Sequence, residues 1–208
     1  MRKILIVNSS TRDEESHSRT LTKLFVERWS KSYPEDQFIY REVGLTPVPH
    51  ITNEWIGASF TKVEDRTEEN QKLLALSNIL VKELKEADIY VIGTPMYNWS
   101  IPSGLKAYID HLMRPNETWK FRSGVPDGDY IGLLENKKLF ILSSRGDSGY
   151  SEGESNAHMN FQTNYLKTVF NIVGVHEIEI ISLDNEEYGG ELFAKSREKI
   201  YNRIAEIK

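Results

Sequence analysis

The feature that most constrains the fold is a regular alternation of apolar runs with stretches of helical periodicity. Strand-like runs lie at 4–7, 38–43, 89–93, 139–144 and 178–183. All but the second are too continuously apolar for half-exposed strands, which is typical of strands inside a parallel sheet. The second run, FIYREV, alternates apolar with polar residues and is therefore predicted to be an edge strand.

Each apolar run is followed by a stretch in which apolar side chains recur at the spacing of one helix face. The longest of these predicted helices fills the stretch from Thr67 to Ala87. Pro102 suits a first helical turn, and Gly174 suits a helix C-cap. The residues expected on the buried helix faces are Leu21, Leu24, Phe25, Trp29, Leu73, Leu76, Leu80, Leu84, Leu105, Ile109, Leu112, Leu166, Val169, Phe170, Val173, Phe193, Ile200, Ile204 and Ile207.

Five β-α units in series predict an α/β fold, a three-layer α/β/α sandwich around a five-stranded parallel sheet, because crossovers between parallel strands are right-handed. The expected strand order is 2-1-3-4-5. With 208 residues and no internal repeat or linker, residues 1–208 are predicted to form one domain. Two segments, 44–65 and 114–136, are expected to be irregular.

The predicted strand order also locates the functional site. Ligands of open α/β sheets bind beyond the carboxyl ends of the strands, next to the point where the strand order reverses. We therefore expect function in the loops after the first, third and fourth strands.

Composition narrows the class of ligand. The net charge is −5 and no block of Lys and Arg occurs, which disfavours nucleic acid or an anionic membrane as partner and favours a small molecule. The chain has no cysteine, so disulfides and thiolate chemistry are excluded and a reducing compartment is favoured. The apolar run at 4–7 is too short for a signal peptide, and we expect a cytoplasmic protein. The sequons at Asn8, Asn98 and Asn116 are then accidental.

The first candidate loop, NSSTRDEESHSRT at 8–20, has the properties of an anion site without a lysine or a glycine. Hydroxyl groups of Ser10, Ser16 and Ser18, backbone N–H groups and the positive end of the helix dipole suit a phosphate. The carboxylates at 13–15 must then point into water. The alternative is that Ser16 or Ser18 only caps the following helix.

The second loop contains PMYNW at 95–99 and ends at Pro102. Aromatic side chains at the end of a strand suit a flat heterocycle, and the alternative is that Tyr97 and Trp99 cap the core. In the third loop, Ser144 to Asp147, small residues allow close approach of the backbone to a ligand. Arg145 either pairs with an anion or with a neighbouring carboxylate, and a flexible glycine loop is the alternative.

Three motifs together carry a resemblance to a known family: Ser10 with SHS at 16–18, PMYNW with LKAYID at 105–110, and SRG at 144–146. In these motifs the chain resembles the FMN-dependent NADH-azoreductases and NAD(P)H:quinone oxidoreductases, which have the flavodoxin-like fold. The likeness runs nearly end to end. It implies a flavodoxin-like fold and FMN as the cofactor.

The resemblance also implies roles for particular residues. Ser10, Ser16, His17 and Ser18 would hold the FMN phosphate, while the segment 95–99 would meet the edge and one face of the flavin ring. That segment comprises Pro95, Met96, Tyr97, Asn98 and Trp99, and the pyrimidine end of the ring would meet Ser144, Arg145, Gly146 and Asp147.

Asp147 departs from the family pattern, which often has a second glycine at this position. A carboxylate beside the flavin would oppose the negative charge of the reduced ring unless it points to solvent.

For activity, the resemblance implies hydride transfer from NADH or NADPH to the flavin, followed by two-electron reduction of a quinone or azo compound with ping-pong kinetics. No side chain is needed as acid or base, so none is assigned as catalytic. The family implies a homodimer, with Trp119 and Phe121 as an aromatic lid over the substrate and the segment 47–51 at the dimer interface.

Two other functions compete with this one. The segment GYSEG at 149–153 matches the nucleophile-elbow pattern of hydrolases, but Ser151 does not directly follow its strand, and no aspartate lies between it and His176. The second alternative is a flavodoxin-like electron carrier that turns over no small substrate. The five histidines show no metal-binding spacing, so no metal is expected.

Overall fold

A computed structural model describes residues 1–122 and 130–207. Five parallel strands form the main sheet in the order β2-β1-β3-β6-β7, which confirms the predicted topology. The strands are β1 (Lys3–Asn8), β2 (Gln37–Glu42), β3 (Ile89–Pro95), β4 (Trp119–Phe121), β5 (Tyr130–Gly132), β6 (Lys138–Ser144) and β7 (Glu177–Leu183), of which β4 and β5 form a separate antiparallel pair.

Helices cover both faces of the sheet, and each main-sheet strand except the last is joined to the next main-sheet strand through at least one helix. The helices are α1 (His17–Ser32), α2 (Asn53–Phe60), α3 (Glu68–Glu86), α4 (Ser103–Leu112), α5 (Thr163–Ile172) and α6 (Gly190–Ala205), with 3₁₀ turns at Val63–Asp65 and Ala157–Met159. In the described part of the chain, no helix combines the length and apolarity needed to cross a membrane.

The core consists of two apolar layers separated by the sheet. Along β1, Leu5 and Val7 face the layer formed with α3, α4 and α5, while Ile4 and Ile6 face the layer formed with α1 and α6. Because successive side chains of a strand point to opposite faces, a run as apolar as ILIV is buried on both sides. This arrangement confirms the three-layer prediction.

Local signals in the sequence set the helix ends. Thr67 forms a capping box with Asn70 at the start of α3, so both orphan N–H groups are satisfied. At the end of α5, Gly174 has a φ of 102°, as expected for a glycine that terminates a helix.

The prediction for the fifth strand was wrong in one respect. β7 is half-exposed, with Ile180 38% exposed, because it is an edge strand like β2. The edge position of β2 was predicted correctly. In β2, the alternation of polar with apolar residues indicates an exposed face. The sequence IEIISL of β7 is mostly apolar, so it gives no sign that one face of that strand is exposed.

The prediction that the two long segments are irregular was also wrong. Residues 44–65 contain α2 and a 3₁₀ turn, and residues 114–136 contain β4 and β5, although 123–129 lie outside the described residues. The eight-residue α2 contains a glycine, and β4 and β5 have three residues each. Elements this short carry too little periodicity to be recognised.

Candidate functional site

The loops after β1, β3 and β6 meet at the carboxyl edge of the sheet, as predicted from the strand order. They line one cavity of about 230 Å³. Two backbone hydrogen bonds join the loops, from Ser9 N to Gly93 O (3.0 Å) and from Met96 N to Ser144 O (2.8 Å). The predicted site residues that line this cavity are Ser10, Ser16, His17, Pro95, Met96, Tyr97, Ser144, Arg145 and Gly146.

Four of the residues predicted to bind the cofactor do not line this cavity. Ser18 is fully buried inside α1, with its hydroxyl 3.2 Å from that of Ser16. Asn98 lines a neighbouring cavity together with Tyr97, and Trp99 is exposed. The Asp147 carboxylate accepts hydrogen bonds from Ser148 N and the Tyr188 hydroxyl, so it is held beside the cavity rather than in it.

The serine loop serves both as a helix cap and as a cavity wall. Ser16 is the N-cap of α1 and accepts a hydrogen bond from Arg19 N, which confirms the capping alternative for this residue but not for Ser18. Ser16 also lines the cavity, so the two interpretations are compatible. Residues 13–15 are exposed, as an anion site requires, although Glu15 borders the cavity.

Tyr97 connects the second loop to the first. Its hydroxyl lies 3.4 Å from the Ser10 hydroxyl and 3.1 Å from that of Thr11. Partial burial opposes ionisation of the phenol, but hydrogen bonds from Ser10 and Thr11 outweigh it and lower the pKa of Tyr97. These contacts fix the ring across the mouth of the serine loop.

The second loop contains a tight turn with an unusual backbone. Tyr97 and Ser100 exchange two hydrogen bonds of 3.0 Å, while Asn98 and Trp99 have φ angles of 48° and 63°. Positive φ at both central residues defines a type I′ turn, in which asparagine followed by glycine is preferred. Trp99 is therefore strained, and because it is 52% exposed it does not cap the core.

In the third loop, the Arg145 side chain turns inward. Its Nε donates to Gln162 Oε1 (3.1 Å), and one terminal nitrogen lies 3.8 Å from the Asp184 carboxylate. The guanidinium is thus engaged with neighbouring side chains, the second of the two alternatives expected for it. Gln162 in turn donates to Thr94 O (3.2 Å), which ties the third loop to the end of β3.

Arg12, Glu186 and Glu187, which were not predicted as site residues, also line the cavity. Arg12 and His17 each lie about 4 Å from the Glu186 carboxylate, at 4.0 and 3.9 Å, and Glu187 lies beside them. Arg12 lies within the serine loop, and its positive charge is the sequence signal that indicates a role at an anion site. The glutamates follow β7, whose loop was not expected to reach the site, and the sequence carries no signal for their approach.

The predicted lid residues differ in their environment. Trp119 is only 8% exposed and packs in the core, in edge-to-face contact with Phe121 and Tyr130. Phe121 is 57% exposed. In this structure Trp119 supports the hairpin of β4 and β5, and Phe121 is the member of the pair that remains available to a ligand.

A second, larger cavity of about 950 Å³ adjoins the first at Arg145. It lies between the loop after β6 and strand β7 and has mostly polar walls, including Asp184 and Lys199. Burial raises the pKa of Asp184 to about 6, although Arg145 opposes the shift. Within residues 1–122 and 130–207, no group of His, Cys, Asp and Glu side chains suits a metal ion.

Two further sequence features have clear positions. The segment 47–51 is fixed to α4, because His111 Nε2 donates to Pro49 O (2.9 Å) and Val48 packs on the core. Ser151 lies in an exposed turn, where its backbone N–H donates to Glu154. A nucleophile elbow requires a strand directly before the serine and a helix directly after it, so this turn does not have the required form.

Comparison with known proteins agrees with the fold. A family model described as "Flavodoxin-like fold" matches residues 2–207. The structure of an FMN-dependent NADH-azoreductase from Bacillus anthracis str. Ames Ancestor, in complex with FMN, has a TM-score of 0.84 at 24% identity, covering 98% of this chain and 96% of that one. At that identity the similarity is evidence of the fold alone.

Sequence relatives are more informative. An FMN-dependent NADH:quinone oxidoreductase of Herminiimonas arsenicoxydans is 41% identical over 207 residues, covering 100% of this chain and 98% of the relative. An FMN-dependent NAD(P)H:quinone oxidoreductase 1 of Pseudomonas aeruginosa is 38% identical over 205 residues, covering 98% and 97%. The chain therefore belongs to the flavodoxin-like fold family and, within it, to the family of FMN-dependent NADH:quinone oxidoreductases.

Proposed function

We propose that this protein is an FMN-dependent oxidoreductase that takes hydride from NADH or NADPH and reduces quinones, azo compounds or both. The observation that carries the proposal is the cavity at the carboxyl edge of the sheet, which is lined by the loops after β1, β3 and β6 together. Residues 1–208 would act as one FMN-binding domain.

The residues at one end of this cavity fit a phosphate group. Ser10 and Ser16 offer hydroxyl groups, Arg12 and His17 offer side-chain N–H donors, and α1 directs its positive end toward the cavity. Each hydrogen bond to a charged group contributes about 1.5–3 kcal/mol, so a few of them suffice to hold a phosphate. The carboxylate of Glu186 has to turn away or remain paired with the cations.

The other end of the cavity fits a flat, polar-edged ring. Met96 and Tyr97 supply apolar surface, and Gly146 presents backbone without a side chain. The type I′ turn holds the backbone of Tyr97 and Asn98 in a fixed conformation, so its polar groups are preorganised for a ring edge. Ser144 and Asp147 would complete the pyrimidine end from the third loop.

Bound FMN would supply the hydride-transfer chemistry, as cofactors do in oxidoreductases of this kind. The protein's own residues bind and orient it and set the electrostatics around it. We assign no catalytic side chain, because a two-electron transfer of this kind needs no protein acid or base when protons come from solvent.

We further propose that donor and acceptor use the same exposed face in turn, which gives ping-pong kinetics. NADH would bind, leave as the oxidised nucleotide, and be followed by a quinone or azo compound. Phe121 and Trp99 expose aromatic surface suited to flat substrates. Trp119 would act on the substrate indirectly, by supporting the hairpin that carries Phe121.

We also propose a homodimer in the cytoplasm. The chain exposes large apolar side chains, including Ile56 and Phe60 on α2 and Trp99 in the second loop, and burial of such surface favours association. Light scattering on the purified protein at several concentrations would report the mass. A monomer at all concentrations would contradict this part of the proposal.

The proposal is tested by an absorbance spectrum of the purified protein, followed by anaerobic titration with NADH and then with a benzoquinone. We expect oxidised flavin bands, bleaching by NADH and recovery on addition of the quinone, at rates well above those of free FMN at equal concentration. Failure to show flavin bands even after addition of FMN would exclude the cofactor. Flavin that NADH does not bleach would favour the electron-carrier alternative.

A further inference from the structure

The serine loop is braced from outside the cavity by one side chain in the first turn of α1. Arg19 donates through Nε to Arg12 O (2.8 Å) and through a terminal nitrogen to Ser10 O (2.8 Å). Both acceptors are backbone carbonyl oxygens, so Arg19 leaves the hydroxyl groups of the loop free of these two bonds. The guanidinium thus binds the loop through its backbone carbonyl groups.

Arg19 is itself held in place by Glu42, the last residue of β2. The two side chains form a bidentate ion pair, with N···O distances of 2.5 and 2.8 Å. The same carboxylate accepts backbone hydrogen bonds from Gly44 (2.8 Å) and Leu45 (2.9 Å). Burial opposes ionisation of Glu42, but the hydrogen bonds from Arg19, Leu45 N and Gly44 N, with the charge of Arg19, together outweigh it and lower the pKa of the carboxyl group.

This arrangement fixes the orientation of two peptide groups of the loop. In a trans peptide the C=O and N–H groups point in opposite directions. Since Arg19 draws the carbonyl oxygens of Ser10 and Arg12 toward itself, the N–H groups of the same peptides point away from it. The Thr11 N–H accordingly points toward the Tyr97 hydroxyl, which lines the cavity.

The consequence is electrostatic. A carbonyl oxygen turned into the cavity would repel an anion, whereas an N–H group attracts it. Arg19 and Glu42 do not line the cavity, so neither side chain contacts a ligand there directly.

We propose that Arg19, held by Glu42, is a positioning residue that keeps the serine loop in its anion-binding conformation and so makes the site selective for phosphorylated flavin over riboflavin. The inference rests on the proposed FMN function. It concerns the phosphate alone, because the only one of the three cavity loops that the Arg19 side chain is seen to bind is the loop after β1.

A matched control exists on the same strand. Arg41 and Glu83 form a second bidentate ion pair of similar exposure, which joins β2 to α3. Arg41 makes none of the loop contacts that Arg19 makes. The change Arg41→Lys therefore removes the same kind of bidentate guanidinium–carboxylate contact and leaves the contacts of the serine loop intact.

The test compares Arg19→Lys with Arg41→Lys by measuring FMN and riboflavin affinity through quenching of flavin fluorescence on the purified full chain. We expect Arg19→Lys to weaken FMN on the order of tenfold or more, since loss of one charged hydrogen bond is of that size, and to leave riboflavin unchanged. Arg41→Lys should change neither affinity. Unchanged FMN affinity in Arg19→Lys, or an equal loss of riboflavin, would overturn the inference.

A double variant separates loop positioning from stability. Combining Arg19→Glu with Glu42→Arg restores an ion pair but places no guanidinium where it can donate to Ser10 O and Arg12 O. We expect the melting temperature to recover toward wild type while FMN affinity stays low. Recovery of FMN affinity would contradict the inference. Wild-type protein that binds riboflavin as tightly as FMN would instead refute the proposed phosphate site itself, whatever the variants do.

Discussion

The two ends of the parallel sheet are built in opposite ways. At the amino end, one carboxylate, Asp36, accepts hydrogen bonds from Arg2 N (2.7 Å), Arg2 Nε (2.8 Å) and Trp29 Nε1 (3.0 Å). A second carboxylate, Asp88, accepts from Lys3 N (2.8 Å). Each of these groups closes a strand end with satisfied polar contacts, and none of them lines a described cavity.

The carboxyl end contains strain and unpaired groups instead. Asn98 and Trp99 lie in the left-handed region, where a tryptophan is costly. Within residues 1–122 and 130–207, one oxygen of Asp184 is buried without a hydrogen-bond partner, 3.8 Å from Arg145. Such features persist at binding sites because the surrounding structure holds them in place.

Together with the proposed flavin site, this difference leads us to expect that stability and ligand binding depend on different ends of the same strands. A strand such as β1 begins at a satisfied ion pair and ends at an open serine loop. Changes at the amino end should therefore affect unfolding but not flavin affinity, and changes at the carboxyl end should mainly do the reverse.

The largest effect is expected on FMN affinity. Ser10→Ala combined with Ser16→Ala should weaken FMN by about 3–6 kcal/mol, because each hydroxyl offers one hydrogen bond to a charged group. Stability should fall by only about 1 kcal/mol, from loss of the Ser16 cap. Ser18→Ala is the companion variant, since that hydroxyl does not line the cavity, and fluorescence titration compares all three proteins.

This first prediction is contradicted if the double variant retains FMN. A loss of FMN in Ser18→Ala as large as that in the double variant would show that Ser18 contacts the phosphate directly, a contact absent from the present structure.

The opposite pattern is expected for Asp36. Asp36→Asn should destabilise the fold by about 2–3 kcal/mol, because it removes a nearly buried charge and weakens three hydrogen bonds. FMN affinity should not change. Urea unfolding measures the stability and flavin titration measures the FMN affinity. A loss of both stability and FMN affinity would contradict the expectation that the two ends of the sheet have separate roles.

The raised pKa of Asp184 leads us to expect that the free energy of unfolding depends on pH. Its pKa is raised to about 6 by burial, with Arg145 opposing the shift, whereas an aspartate in the unfolded chain titrates near ~3.9. The folded state therefore binds the proton more tightly, so the free energy of unfolding falls as pH rises from about 4 to about 6 and is level above that. The contribution is about 3 kcal/mol.

Asp184→Asn should abolish this slope and raise the free energy of unfolding at neutral pH, because the neutral amide is not penalised by burial. Unfolding in urea at several pH values between these limits measures the effect for both proteins. An identical slope in the variant would assign the dependence to another group.

The smallest effect is expected at the type I′ turn. Trp99→Gly should stabilise the fold by at most about 1 kcal/mol, since glycine adopts positive φ freely but also loses more entropy on folding. Asn98→Gly should gain less, because asparagine already tolerates this conformation. Urea unfolding compares the two. A loss of stability in Trp99→Gly would show that the indole ring packs rather than strains the turn.

Much of the fold could be predicted from the sequence because strong patterns determined it. Apolar runs such as ILIV and helical stripes such as that in α3 repeat over enough residues to distinguish strand from helix. The exposure of β7 was not predicted, because its apolar residues do not indicate that the strand has a neighbouring strand on one side only. The short α2, β4 and β5 carry too few residues for any periodic signal.

The site was predictable for the same reason, since the strand order alone brings the loops after β1, β3 and β6 together. Contacts from later in the chain were not predictable. Glu186 reaches the cavity through the loop after β7, and Trp119 turns into the core through the pairing of β4 with β5. Both positions result from tertiary packing, which local sequence does not encode.

The central claim is that three loops at one end of the sheet form a single FMN site. Hydrogen–deuterium exchange, measured by mass spectrometry on flavin-free and FMN-loaded protein, tests it most directly. We predict that FMN protects the amides of residues 10–18, 95–100 and 144–148 together, while those of residues 2–4, 36–38 and 88–90 do not change. Protection confined to one loop, or spread equally to the amino end, would contradict the claim.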